Sequence, residues 1–204
     1  MERLFSTSLY CEQLHSRQSA MVRELRKECA QIQEYDEEGR AWSHENYVGG
    51  YTSYSSLCSL HQMSSTFMKL EQSIASHVRR FSRQLDFDLC GGSLRMGDCW
   101  INVMPAHVAH GLHIHPLGCI SGTYYVSAPR GAPGIKFEDP RIDRFMAAPP
   151  RRERCKKENR THVSYEPIPG RLVLFESWLR HEVPAGTYSG ERVSISFNYH
   201  WERE

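Results

Sequence analysis

The sequence predicts a mainly β domain with N-terminal helices, and three observations carry that prediction. Two helix-period stretches precede residue 90. Short apolar or alternating runs separated by Gly and Pro fill the rest. No internal repeat or low-complexity tract interrupts them. Strands of this length and spacing close into a double-stranded β-helix, the jelly roll or cupin-like barrel.

The elements follow in order. Leu4 to Leu9 reads as a short strand. From Cys11 to about Ile32, the residues Leu14, Met21, Leu25 and Cys29 recur at helical spacings with charges between them. Asp36-Glu37-Glu38-Gly39 ends that helix, and Ser43–Ser59, rich in Gly, Tyr and Ser, reads as a loop or crossover. Ser64 or Ser65 caps a second helix to about Leu85, with Phe67, Leu70, Ile74, Val78 and Phe81 on one face. The expected strands are Ser93–Met104, Ile120–Val126, Gly134–Phe137, Thr161–Tyr165, Arg171–Phe175 and Arg192–Tyr199. Residues 139–160, with Pro149-Pro150, form a long insertion of the kind that makes a mobile loop or lid. The plan is one domain over residues 1–204: a strand and buttressing helices over 1–90, and the barrel over 91–204.

Composition narrows the function. With 204 residues, the chain buries a full core without staples. Lys plus Arg is 25 against 24 acidic residues, so the formal charge of +1 argues against a nucleic-acid partner. No apolar run approaches a membrane span, and the first ten residues carry no signal-peptide pattern. The seven cysteines are odd in number and scattered with no CxxC pair, which argues against a zinc ribbon and a disulfide framework. A cytoplasmic location follows as the expectation. The N-terminal helices offer a face for a homodimer.

The chemistry concentrates in His110-Gly-Leu-His113-Ile-His115-Pro116. On a strand, His113 and His115 point to one side and Ile114 to the other. Two imidazoles on one face grip one metal, and a third ligand from a separate strand leaves positions open for substrate and oxygen. His181, after the Arg171–Phe175 strand, supplies it. Arg192 lies eleven residues beyond His181 and shares one strand face with Ser194, Ser196 and Asn198. An arginine with hydroxyls directed into a barrel is a poor core and a good carboxylate clamp.

His-x-His, a distal His and an Arg eleven residues on resemble the 2-oxoglutarate/iron(II) oxygenases related to prolyl hydroxylases. More narrowly, Trp100–Val103, His113–Pro116, Ser121–Val126, Phe137–Arg141, Leu174–His181 and Glu191–Asn198 resemble the string of motifs of one 2-oxoglutarate/iron(II) oxygenase group within that class. The resemblance implies iron(II) held by His113, His115 and His181, with 2-oxoglutarate and O2 as cosubstrates. It implies Arg192, helped by Ser194, on the far carboxylate of 2-oxoglutarate, and Asn102 and Tyr124 as further cosubstrate contacts. Arg141, Asp139 and Trp178 are the expected substrate contacts, for a small-molecule or peptide substrate. The wider class carries Asp or Glu where this chain has His115, so Asp139 or Glu138 stands as an alternative source of a carboxylate ligand. Two other readings remain open at this point. One is a cupin-type three-histidine dioxygenase without 2-oxoglutarate, which the absence of a Glu four or five residues after the pair disfavours. The other is a non-catalytic jelly-roll binding module, whose structural metal would favour cysteine ligands. His107 and His110 are read as surface or satisfied core residues.

Overall fold

The structure, a computed structural model, describes Glu2 and residues 4–203. Among the described residues, ten strands form two antiparallel sheets. The major sheet holds β1 (Leu9–Gln13), β2 (Tyr51–Thr52), β3 (Ser93–Met104), β5 (Ile120–Ser127), β8 (Arg171–Glu176) and β10 (Arg192–Glu202), in the order β1-β8-β5-β10-β3-β2. The minor sheet holds β4 (His110–His113), β6 (Ile135–Glu138), β7 (His162–Tyr165) and β9 (His181–Val183), in the order β4-β9-β6-β7. From β3 to β10 the chain winds between the two sheets, four strands in each, which is the double-stranded β-helix.

Helices α1 (Ala20–Tyr35), α2 (Glu37–Asn46), α3 (Leu60–Met63) and α4 (Ser65–Gln84) precede the barrel. Ser19 caps α1 and Ser64 caps α4 through their side-chain oxygens. The apolar stripes of α1 (Val22, Leu25, Cys29, Ile32) and α4 (Phe67, Leu70, Ile74, Val78, Phe81) bury against the outer face of the major sheet. From β10 that face presents Val193, Ile195, Phe197 and Tyr199. A smaller cluster of Tyr125, Ile135, Phe137, Val173, Phe175 and Leu179 fills the space between the sheets.

Three expected elements differ. The first strand is β1, not Leu4–Leu9, and α1 begins only at Ala20. Pairing with β8, with Tyr10 opposite Leu174, overrides the helical periodicity of Cys11–Gln13. Asp36 starts a helix as well as ending one. Its carboxylate accepts from Gly39 N at the start of α2 and from the Tyr51 and Ser56 hydroxyls. The expected loop therefore begins with a helical segment. The short strand β9 carries His181 and has too few residues for a pattern. Residues 139–160 hold two short 3-10 turns and no strand.

Candidate active site

Three histidines meet at one end of the barrel. His113 closes β4 and lies opposite His181 of β9 in the ladder. His115 follows the strand, its backbone N–H donating to Ser177 O at 3.0 Å. One ring nitrogen from each of the three lies within 4.8 Å of the other two. No other such group of metal-ligating side chains occurs among the described residues.

The tautomers suit ligation. Nδ1 of His113 lies 2.8 Å from Gly111 O, and Nδ1 of His181 lies 2.9 Å from Leu179 O. Carbonyls only accept, so both Nδ1 atoms carry the proton and both Nε2 lone pairs are free. Nδ1 of His115 lies 2.6 Å from Asn198 Oδ1. The amide is oriented by its Nδ2, which donates to Asp98 Oδ2 at 2.9 Å. Asp98 also lies 3.3 Å from His200 Nε2. A carboxylate thus fixes the His115 ring through an amide. Burial pushes all three imidazoles toward the neutral form: His181 to about 3, His115 to about 4, and His113 downward. Neutral imidazole is the form that binds metal.

Behind the histidines runs a narrow inner cleft lined by Asn102, Met104, Thr123, Arg192, Ser194 and Ser196. Arg192 is 2% exposed. Its Nη1 donates to Ser194 Oγ at 3.3 Å and to Met104 Sδ at 3.4 Å, and its guanidinium lies 5.1 Å from the Tyr125 ring centre. No carboxylate pairs with it among the described residues; Glu182 pairs with Lys136 instead. Arg192 Nε, Asn102 Oδ1 and Thr123 Oγ1 are buried without a hydrogen-bond partner. An unpaired buried cation costs several kcal/mol, so this cleft is built for an anion. A three-histidine pocket adjoining an orphaned arginine fits an iron(II) ion and a dicarboxylate.

Residues 98–198 match the family described as "Putative 2OG-Fe(II) oxygenase". The chain belongs to this family. It is an Fe(II)/2-oxoglutarate-dependent oxygenase, and the matched span contains the three histidines and Arg192. No curated protein matches the chain by sequence. Among solved structures, a Pseudomonas putida prolyl-4-hydroxylase is 17% identical with a TM-score of 0.62, covering 98% of this chain and 95% of that one. HygX from Streptomyces hygroscopicus, solved with nickel, 2-oxoglutarate and hygromycin B, is 14% identical with a TM-score of 0.62, covering 95% and 83%. A Trichoplax adhaerens prolyl hydroxylase, solved with a hypoxia inducible factor peptide, is 16% identical with a TM-score of 0.59, covering 96% and 84%. At these identities the likeness is one of fold.

Not every residue expected at the oxygenase's site lies there. Tyr124 faces the helices: it is fully buried in the core beneath them, and its hydroxyl bonds His15 Nδ1 at 2.9 Å. Its neighbours Thr123 and Tyr125 face the interior, so Tyr124 lies on the strand face opposite the cleft. Asp139 does not reach the histidines. Its Oδ1 accepts from the Arg141 backbone and Nε, both at 3.0 Å, and its Oδ2 from Arg144 Nη1 at 3.2 Å. Burial opposes its ionisation, yet the arginines outweigh that and hold the carboxyl below its ordinary range. Arg141 and Asp139 line a separate cavity of about 720 Å³ on the other side of Phe137 and Leu179, with Glu138 also in its wall. Trp178, 46% exposed, lines neither cleft.

Several residues the sequence left aside are at the site of the oxygenase. His110 stacks on His113 with ring centres 4.6 Å apart and lines both the inner cleft and an outer one. Asp98 sits opposite Asn198 in the β3–β10 ladder. That pairing appears only once β3 and β10 are adjacent. Asn198 already shared a face with Arg192, which was the one available signal.

Proposed function

We propose that the enzyme is a hydroxylase, with iron(II) held by the Nε2 atoms of His113, His115 and His181 and with 2-oxoglutarate anchored by Arg192. The observation that carries this reading is the buried, carboxylate-free guanidinium of Arg192 beside three neutral imidazoles. When bound, the metal supplies a redox centre at which O2 is reduced as 2-oxoglutarate is decarboxylated to succinate and the substrate is oxidised.

The protein's own residues bind, orient and exclude water. Gly111 O, Leu179 O and Asn198 Oδ1 hold the three Nδ1–H groups and so aim the lone pairs. Arg192 pairs with the distal carboxylate of the cosubstrate, with Ser194 steadying the guanidinium at 3.3 Å. Thr123 Oγ1 and Asn102 Oδ1, both unpartnered, complete the polar lining. Phe175 and Phe137 pack against His181 and keep that side dry. His115 replaces the carboxylate common in the wider class, and Asp98 is linked to it through Asn198. A cytoplasmic setting agrees with seven unpaired cysteines, and among the described residues no helix is long and apolar enough to cross a membrane. The substrate is a small molecule or a peptide side chain.

Anaerobic titration of the iron(II)-loaded protein with 2-oxoglutarate tests the reading. A weak visible charge-transfer band should appear with wild type and vanish in His181→Ala, which should also lose metal. An iron-replete wild type that gives no band would favour a cupin-type dioxygenase without this cosubstrate, a reading that leaves Arg192 unexplained.

A further inference from the structure

The His110, His113 and His115 rings stand between two clefts of opposite polarity. The inner cleft has Arg192 as its one charged lining side chain among the described residues. The outer cleft, a cavity of about 330 Å³, has Asp98 as its one charged lining side chain. Its walls are aromatic: Trp42 and Tyr47 from α2 and its end, Tyr54, and Trp100 from β3. Trp42 is 39% exposed and Tyr54 51%, so both rings are open to a ligand at the mouth. Tyr54 meets Trp100 edge-on with centres 4.9 Å apart, and Trp100 in turn lies 5.7 Å from the His115 ring. The aromatic wall therefore runs from the mouth to the histidines.

Resting on the oxygenase reading, we infer that the outer cleft admits the substrate and selects one bearing a cation, an ammonium or guanidinium group set against these rings with Asp98 as its counter-ion. Aromatic faces attract cations through their quadrupoles, most strongly when an indole is present and water is excluded. Both described bonds to Asp98, from Asn198 and His200, use Oδ2, so Oδ1 has capacity for a ligand N–H. The two polarities also sort the reactants. An anionic cosubstrate is drawn past the histidines to Arg192, and a cationic substrate stays on the near side, where the carbon beside its charged group faces His113 and His115.

Nitrogen-15-labelled protein provides the test, first metal-free and then loaded with diamagnetic zinc(II) and 2-oxoglutarate. Choline is titrated against 3,3-dimethyl-1-butanol, which has the same shape without the charge, while the indole N–H resonances are followed. Choline should shift Trp42 and Trp100 at roughly tenfold lower concentration than the alcohol. Trp178 and Trp201, outside the cleft, should stay in place. Asp98→Asn should narrow the gap between the two ligands, and Trp42→Leu, a change on an exposed helix face, should weaken choline more than the alcohol. Equal shifts from both ligands in wild type, or no shift at Trp42 from either, would overturn the inference. Failure of zinc-loaded protein to bind 2-oxoglutarate would count against the oxygenase reading instead, leaving the metal-free comparison intact.

Discussion

At the scale of single residues, the site is a set of polar groups whose partners are chosen by geometry. Arg192 is the sharpest case: among the described residues its guanidinium is buried with a hydroxyl and a thioether as hydrogen-bond partners and no carboxylate. Arg192→Leu should weaken 2-oxoglutarate binding about 100-fold or more, the consequence of removing one side of a buried charge pair. The same change should raise the melting temperature of the ligand-free protein, because an unpaired buried charge has been replaced by an apolar side chain. Calorimetry and anaerobic titration check the two halves independently. Tyr124 shows the reverse. Tyr124→Phe removes one hydrogen bond to His15 and should cost about 1 kcal/mol of stability with no change in 2-oxoglutarate affinity. A large loss of affinity would return Tyr124 to the site. The sequence could place Arg192, Ser194, Ser196 and Asn198 on one face because strand period two needs no tertiary information. It could not tell Tyr124 from Tyr125, because both are aromatic and only the position of the helices decides which side is inward. Asp98 was illegible for a different reason, since its role depends on the register of β3 against β10.

At the scale of elements, the long strands were the readable ones. β3 was bounded correctly at both ends because twelve residues of alternating and apolar sequence leave little choice. β9, three residues long, has no periodicity, yet it carries His181. Where pairing competes with propensity, pairing wins, as β1 shows by taking Cys11–Gln13 from an apparent helix. The minor sheet depends on close backbone approach at Gly134, just before β6. A Cβ there would overlap the Tyr165 carbonyl oxygen at the end of β7. Gly134→Ala should therefore splay β6 from β7 and cost about 1–3 kcal/mol, the range for overpacking a rigid contact. Chemical denaturation measures it. A neutral result would mean that the β6–β7 edge yields easily. The β6–β7 insertion, by contrast, has no regular strand or long helix, and the sequence reading of it as a loop needed only its prolines and charges.

At the scale of the molecule, helices cover one face of the major sheet and the other face, with the minor sheet, encloses the chemistry. The apolar stripes of α1 and α4 are buried against that sheet, so a homodimer through the N-terminal helices would use their outward faces. The enclosed imidazoles give the metal-free protein a defined acid sensitivity. Half-buried His110 and His115 and buried His181 have folded-state values of about 4, 4 and 3, below the ordinary 6.5, because burial disfavours the charged ring. Between those values and 6.5 the unfolded chain binds more protons than the folded one, so stability is full above pH 6.5 and falls as the pH drops toward 4. Urea midpoints of the metal-free protein at pH 7.5, 6 and 5 should decline in that order. A flat series would show that the rings are accessible to water.

The three histidines come from two segments that meet only in the folded chain: the end of β4 with the turn after it, and β9. An ion bound to all three is a cross-link that exists in the native state alone, and it adds about 4 kcal/mol when free metal exceeds its dissociation constant a thousandfold. The span it ties down is the minor sheet, whose strands are the shortest in the barrel. Proteolytic half-life should thus lengthen with metal supply. A cell starved of iron would then hold fewer copies of this enzyme as well as less active ones, so abundance itself would record the supply of the metal.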